Sequence, residues 1–211
     1  MIIPSILENN PAKFNERFKA ISSLPGVKTL QIDFADGELV ATKTIGIEDL
    51  KLPKNKFFYE AHLMIANPTN FADYAKKGFK RIIVHYEAFN SEQELEQALE
   101  QIIALKMIPG IAISPSTAVS VLRYFTDTIR YFTLLGVAPG KQGQEMKPDT
   151  FDRLRELRDI AEGANIEMDG GVNTANIAEL IDAGATECVV GSALLEGDIQ
   201  ENYQNLLAAL K

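Results

Sequence analysis

The chain has 211 residues, with 29 acidic and 21 basic side chains and a formal net charge of -8 at pH 7. This balance argues against the basic stripe with which proteins neutralise nucleic-acid phosphates, so we expect no nucleic-acid partner. No apolar run approaches the ~20 residues that a membrane span needs, and no secretory leader is recognisable. We therefore expect a cytoplasmic protein that has no membrane partner.

Glycine and proline residues are scattered singly, and no low-complexity linker interrupts the chain. The length reaches the ~200 residues at which (β/α)8 barrels begin. We therefore predict a single barrel domain spanning residues 1–211. The only cysteine, Cys188, lies in an apolar run, so no internal disulfide can form and a buried core thiol is expected.

Short segments rich in β-branched and aromatic residues alternate with longer amphipathic segments, which is typical of repeated βα units around a parallel sheet. Eight strands are predicted, at residues 2–7, 29–34, 57–64, 81–86, 108–114, 130–136, 165–169 and 187–191. Several are almost wholly apolar, as expected for strands that are covered on both faces.

The helical segments between these strands show apolar stripes. The second is short, near residues 47–50. The clearest two are 91–105, with Leu95, Leu99, Ile102 and Ile103, and 150–162, with Phe151, Leu154, Leu157 and Ile160. Ser91 and Glu94 form a potential capping box at the start of segment 91–105. Eight βα pairs close most simply into an α/β fold of the (β/α)8 TIM-barrel type, and an open doubly wound sheet is the alternative.

Three polar residues stand at the carboxyl ends of separate predicted strands, namely Asp33, His62 and Asp169. Barrel enzymes build their active sites from side chains at these ends. Each residue also has a structural alternative, because aspartate often caps a turn and a lone histidine is often a hydrogen-bonded structural residue. The pair Gly170 and Gly171 after Asp169 would let the backbone approach a ligand closely.

Glycines cluster after the last three predicted strands, where barrel enzymes often bind phosphate with backbone N–H groups. The candidate phosphate-binding residues are Gly140, Gly143, Gln144, Gly170, Gly171, Gly191 and Ser192. Ordinary turns are the alternative for any one of these loops.

Eight collinear motifs make the chain resemble the ribulose-phosphate 3-epimerase family over nearly its full length. They are PSIL at 4–7, DFADG at 33–37, HLMI at 62–65 with NP at 67–68, VHYEA at 84–88, PG at 139–140 with GQ at 143–144, DGGV at 169–172, AGA at 183–185 and GSA at 191–193.

The resemblance implies an isomerase of carbohydrate metabolism that interconverts D-ribulose 5-phosphate and D-xylulose 5-phosphate in the pentose phosphate pathway. It implies that Asp33 and Asp169 transfer protons at carbon 3 through an enediolate. It also implies a divalent metal cofactor, Mn, Fe, Mg or Zn, held by Asp33, His62 and Asp169. Ser5 and Met64 match substrate-contacting positions, His85 and Glu87 match supporting positions, and relatives form homo-oligomers, which we expect here too.

The chain departs from the family at Gln31, where the family has a metal-binding histidine. An amide oxygen in place of an imidazole predicts weaker binding, or a preference for manganese, magnesium or iron over zinc. Ala35 and Leu135 replace methionines. Gln142 replaces a glycine, and Lys141 replaces an aromatic residue and adds a cation that could reach the phosphate.

Two alternative functions come from other classes of protein. A sugar-phosphate-binding relative could retain the glycine loops with altered specificity or without turnover, because Gln31 replaces the histidine. A related decarboxylase would place a lysine between two aspartates after the second strand, and Phe34 and Ala35 supply none.

Overall fold

The strands form a closed parallel barrel in a computed structural model that describes residues 1–210. They are β1 Ile2–Ile6, β2 Thr29–Ala35, β3 Phe58–Met64, β4 Phe79–His85, β5 Ile108–Ile113, β6 Tyr131–Leu135, β7 Asn165–Asp169 and β8 Glu187–Val190. All eight predicted strands are present, and their ends agree with the predictions to within two residues. Strand β8 pairs with β1, with Cys188 opposite Ile2. The (β/α)8 prediction is therefore confirmed, and the open-sheet alternative is wrong.

The connections between strands are mostly helical. The α-helices are α1 Pro11–Ser22, α2 Phe71–Lys77, α3 Glu92–Ala104, α4 Thr150–Ile160, α5 Ile177–Asp182, α6 Ser192–Leu195 and α7 Ile199–Ala209. Three 3-10 segments lie at Ile47–Asp49, Tyr86–Ala88 and Val119–Phe125. The predicted short helix after the second strand is the first of these. Within residues 1–210, no helix is both long and apolar enough to cross a membrane.

Helix α3 agrees with its predicted start but not with its full predicted stripe. Ser91 caps the helix by accepting a hydrogen bond from the Glu94 backbone N–H at 3.2 Å. The Glu94 carboxylate accepts from the N–H of Asn90 rather than Ser91, so the box is shifted by one residue. Ile103 is 52 % exposed. At about 100° per residue, Ile103 lies roughly 40° beyond Leu99, outside the arc that faces the barrel.

The amino-terminal half of the barrel interior contains a polar cluster, formed by Glu60, Arg81, Tyr131, Thr133, Glu167 and Glu187. The Arg81 guanidinium lies 3.5 Å from the centroid of the Tyr131 ring. Its Nη1 is 2.9 Å from a Glu187 oxygen, and its Nε is 3.1 Å from a Glu60 oxygen. Burial raises the pKa of Glu60 well above its usual range and that of Glu167 to about 7. Because alternate strand residues share a face, this layer lies directly beneath the carboxyl-end residues.

Candidate active site

Strand register brings the predicted polar residues together at the carboxyl end of the barrel. Asp33 on β2 is the direct partner of His62 on β3, and Asp169 ends β7 beside Leu135 of β6. They open into a cavity of about 260 Å³. This cavity is lined by every predicted catalytic, substrate-binding and phosphate-binding residue: Ser5, Asp33, His62, Met64, Gly140, Gly143, Gln144, Asp169, Gly170, Gly171, Gly191 and Ser192. Gln31 is fully buried beneath them.

The two aspartates contact side chains rather than cap backbone. His62 Nδ1 lies 3.1 Å from Asp33 Oδ1 and 3.3 Å from Asp169 Oδ2. The Gln31 amide donates to the same two oxygens, at 2.9 Å and 3.1 Å. The capping alternative applies instead to Asp36, whose carboxylate accepts from the backbone N–H groups of the loop that follows β2, including that of Glu38 at 2.8 Å. The four-residue group is therefore assembled by tertiary contacts.

His62 is oriented by a chain of hydrogen bonds behind it. His62 Nε2 lies 2.8 Å from His85 Nε2, and His85 Nδ1 lies 3.3 Å from a Glu87 oxygen. An ionised carboxylate only accepts, so the proton of a neutral His85 belongs on Nδ1, and its Nε2 accepts from His62. Burial lowers the pKa of His85 and favours this neutral form. His62 therefore presents its Nδ1 to the two aspartates, and His85 and Glu87 are supporting groups.

The electrostatics of the cluster are set by burial and mutual contact. Burial raises the pKa of Asp33, although the hydrogen bond and charge of His62 oppose this. Burial alone would lower the pKa of His62, but its hydrogen bonds with Asp169 and Asp33 raise it to about 10. When His62 is protonated on both ring nitrogens, its Nδ1 proton lies between the two carboxylates. The site therefore favours positive charge at this position.

The same geometry fits a divalent cation. One ligand atom from each of Asp33, His62 and Asp169 lies within 4.8 Å of the others. Two carboxylates and one imidazole are an ordinary donor set for such ions. Gln31 Oε1 is buried and has no hydrogen-bond partner among residues 1–210. Rotation of the amide would turn this oxygen, in place of the nitrogen, toward the carboxylates of Asp33 and Asp169. That orientation is favourable only if a positive charge lies between the oxygen and the carboxylates.

The glycine loops line the same cavity. Gly171 has a φ of +76°, and a Cβ there would lie 2.8 Å from the Met146 Cβ, so only glycine fits without displacement. Ser5 on β1 is buried and faces Gly191, since a Cβ at Gly191 would lie 3.2 Å from the Ser5 Oγ. The added cation, Lys141, is exposed at the rim of the cavity.

Sequence reasoning missed several residues around this cavity. Asn173 lines the cavity, and its side chain donates to the Gly171 carbonyl at 3.0 Å. Asn176 donates to the same carbonyl at 2.9 Å. Asn173 directly follows the DGGV motif, a signal that could have found it. Thr42, whose hydroxyl donates to the Gly140 carbonyl, lies in a loop without recognisable periodicity, and no sequence signal pointed to it.

Comparison with protein families gives a match between residues 1–195 and the ribulose-phosphate 3 epimerase family. A ribulose-phosphate 3-epimerase of Synechocystis is 32% identical, with coverage of 100% of this chain and 93% of the relative. The chloroplastic ribulose-5-phosphate-3-epimerase of Arabidopsis thaliana is 34% identical over 92% of this chain and 71% of its own. The Escherichia coli ribulose-phosphate 3-epimerase is 31% identical, over 100% and 94%.

Solved structures with low sequence identity share the barrel fold. A 3-hexulose-6-phosphate synthase superposes with a TM-score of 0.73 at 15% identity, covering 100% of this chain and 99% of the other. The tryptophan synthase alpha-subunit of Pyrococcus furiosus gives a TM-score of 0.69 at 17% identity, with coverage of 98% and 97%. These likenesses concern the fold alone.

Proposed function

The chain belongs to the ribulose-phosphate 3-epimerase family, and from this premise we propose that it interconverts D-ribulose 5-phosphate and D-xylulose 5-phosphate with Asp33 and Asp169 as the proton-transfer groups. The enzyme class is isomerase, as in the curated epimerases it matches. The observation that carries the proposal is the convergence of Asp33, His62 and Asp169 at one cavity, with ligand atoms within 4.8 Å of one another.

Inversion at carbon 3 requires a proton to leave one face of the carbon and another to arrive at the opposite face. Asp33 and Asp169 come from β2 and β7, which are separated by β8 and β1 in the barrel, so their carboxyl groups reach a small substrate from different sides. Their protonation states must be complementary, one ionised and one protonated, and they exchange roles in the reverse reaction.

His62, Asp33 and Asp169 would hold the divalent cation, with Gln31 as a further oxygen donor after rotation of its amide. When bound, the cation supplies positive charge where the enediolate oxygens become negative. His85 and Glu87 keep the His62 Nδ1 directed at this position. Metal-binding histidines are commonly oriented by hydrogen-bond partners of this kind. Gln31 favours an oxygen-preferring ion, manganese, magnesium or iron, over zinc.

Phosphate binding is assigned to the glycine loops around the cavity. The Gly140–Gln144, Gly170–Gly171 and Gly191–Ser192 loops line it with backbone groups, and Ser5 contributes a hydroxyl. We place the reaction in the pentose phosphate pathway because of the family. We also propose that the protein is cytoplasmic and forms a homo-oligomer, as the resemblance implies.

Proton exchange at carbon 3 tests the proposal directly. The purified protein, incubated with D-ribulose 5-phosphate in D₂O with added manganese, should remove the carbon-3 proton signal in NMR and generate xylulose 5-phosphate. Asp33→Asn and Asp169→Asn should each lower kcat by about 10²–10⁴-fold. Asp159→Asn, an exposed change on α4, is the matched control and should leave kcat unchanged.

Persistence of the carbon-3 proton, despite demonstrated binding of the sugar phosphate to the unmodified protein, would overturn the epimerase assignment. That result would favour the relative with altered specificity or without turnover. Full activity of either aspartate variant would instead overturn the assignment of that residue.

A further inference from the structure

The Gln142 side chain lies beside the glycine loops that line the cavity. A Cβ placed on Gly191 would lie 2.5 Å from the Gln142 Nε2, so the amide packs directly against the Gly191 backbone. The same Cβ position is 3.2 Å from the Ser5 Oγ. Gln142 therefore adjoins two of the residues to which phosphate binding is assigned, and the inference below rests on that proposed function.

The orientation of this amide is fixed by Arg17 of α1. The Arg17 Nη1 donates to the Gln142 Oε1 at 3.3 Å. A guanidinium has no acceptor, so the amide atom that faces it must be the oxygen, and the nitrogen is directed to the other side. The Arg17 Nε in turn lies 2.9 Å from a Glu8 oxygen. The pair Glu8 and Arg17 thus holds the amide in one of its two possible orientations.

The amide nitrogen lacks an acceptor in the described part of the chain. Gln142 Nε2 is buried and has no hydrogen-bond partner within residues 1–210. Leaving a buried donor unpaired is unfavourable, and such a group requires an explanation. Its neighbours Gly191 and Ser5 line the cavity, so a ligand that carries acceptor oxygens at this point would satisfy it.

We propose that Gln142 is a specificity residue for the phosphate group of the substrate, to which its Nε2 donates a hydrogen bond. Arg17 is a positioning residue that acts through the Gln142 oxygen. A phosphate offers acceptor oxygens only, so it matches a donor whose orientation is fixed. The exposed Lys141 and Glu196 also line the cavity and carry opposite charges.

Calorimetric titration with inorganic phosphate and steady-state kinetics with D-ribulose 5-phosphate test this role. Gln142→Ala should raise the Kd for phosphate and the KM by about 10–100-fold, the effect of one hydrogen bond to a charged group, and leave kcat within about twofold. Gln142→Glu keeps the size and the acceptor for Arg17 but adds negative charge, so its Kd should rise further than that of the alanine variant.

Arg17→Met provides the test of positioning. It should weaken phosphate binding in the unmodified protein by about threefold but have no further effect in the Gln142→Ala background, because residues that act through one another are not additive. Arg155→Met, which removes an exposed arginine from α4, is the charge-matched control and should leave the Kd unchanged. Melting curves of all variants check that each is folded.

Phosphate binding to Gln142→Ala that equals or exceeds binding to the unmodified protein would overturn the inference, as would a failure of the unmodified protein to bind phosphate at all. Additive effects of Arg17→Met and Gln142→Ala would overturn the positioning role. The epimerase proposal is tested separately by carbon-3 exchange. Phosphate binding without exchange would leave the role of Gln142 intact, whereas exchange with an unaffected Gln142→Ala variant would contradict Gln142 alone.

Discussion

Gln31 stands in the proposed metal site at the position where the resemblance implies a histidine. It is completely buried, and its nitrogen donates to Asp33 and Asp169. Its oxygen has no hydrogen-bond partner in the described part of the chain, residues 1–210. An amide can turn either end toward the carboxylates, so the same side chain can act as a donor to two anions or as a neutral ligand to a cation. An imidazole is the better zinc ligand, because zinc prefers nitrogen and sulfur donors.

Gln31→His should therefore increase the affinity for zinc by about 10-fold or more, the range typical of a well-placed ligand or its supporting partner. Equilibrium dialysis of zinc against the purified protein measures this without reference to activity. Gln31→Met, which has a similar length but neither donor nor strong acceptor, is the matched control and should not increase the affinity. If the unmodified protein already binds zinc as tightly as Gln31→His, the interpretation of Gln31 is wrong.

Glu87 makes the stability of the protein depend on pH. Although its burial opposes this, hydrogen bonds from His85, the Thr117 hydroxyl and the Ser114 N–H lower the pKa of Glu87 from 4.5 to about 2. A lowered folded-state pKa contributes stability that is present above about pH 4.5 and is lost as the pH falls toward 2. Its side chain is 26% exposed, so solvent screens part of this effect. We therefore expect a contribution to the free energy of unfolding on the order of 2 kcal/mol, less than the whole pKa difference corresponds to.

Glu87→Gln should accordingly lower the free energy of unfolding at pH 7 by about 2 kcal/mol, and its difference from the unmodified protein should shrink between pH 4.5 and pH 2. Urea denaturation at a series of pH values measures both effects. Glu100→Gln, an exposed change on α3, should shift the free energy by less than about 0.5 kcal/mol throughout. A difference that stays constant down to pH 2 would contradict the assigned cause.

A site residue could be predicted from the sequence where its position at the end of a single strand is enough to identify it. Asp33, His62 and Asp169 each end an apolar run, and the barrel hypothesis brings such ends together. The unpartnered oxygen of Gln31 and the contact between Arg17 and Gln142 could not be predicted. Both depend on the distance between side chains that are far apart in the sequence, which no local pattern encodes.

At the scale of elements, strands were easier to predict than their connections. Strands covered on both faces are mostly apolar, so their limits appear as turns and runs of polar residues. The segment Val119–Phe125, which follows β5, forms a 3-10 helix rather than an α-helix. Its β-branched and aromatic residues have low helix propensity, and packing against the barrel rather than an apolar stripe determines its shape.

The polar layer inside the barrel was not predicted either. Glu60, Arg81, Glu167 and Glu187 each occur singly within or beside apolar strands, and only the register of five strands brings the cluster together. Arg81 is the only cation among three carboxylates in this cluster. Its removal would take away the cation that pairs with Glu60 and Glu187.

Arg81→Met should therefore lower the free energy of unfolding by about 3–5 kcal/mol, the cost of breaking a buried ion pair by removing one partner. Urea denaturation measures this loss. Arg130→Met is the matched control, because Arg130 lies at the same end of the barrel but is exposed, and it should cost less than about 0.5 kcal/mol. Equal losses for the two variants would show that the buried arrangement of Arg81 does not matter.

At the scale of the whole molecule, closure of the barrel couples its first and last strands. Cys188 on β8 is opposite Ile2 of β1 and is completely buried. Burial raises the pKa of its thiol to about 12, and a thiol reacts as the thiolate. Because every strand has two neighbours in the closed sheet, we expect that Cys188 becomes reactive only when the barrel opens as a whole.

Labelling of Cys188 with a thiol reagent should consequently report the free energy of global unfolding, and a ligand that binds only the folded state should slow it. D-Ribulose 5-phosphate at 100 times its Kd should reduce the labelling rate by about 100-fold when reclosing is faster than labelling. Ser120→Cys in a Cys188→Ala background provides an exposed thiol whose labelling should not respond to the ligand. The free energy of unfolding measured in urea predicts a labelling rate for Cys188. If labelling is much faster than this rate, β8 separates locally, and closure does not make the barrel one cooperative unit.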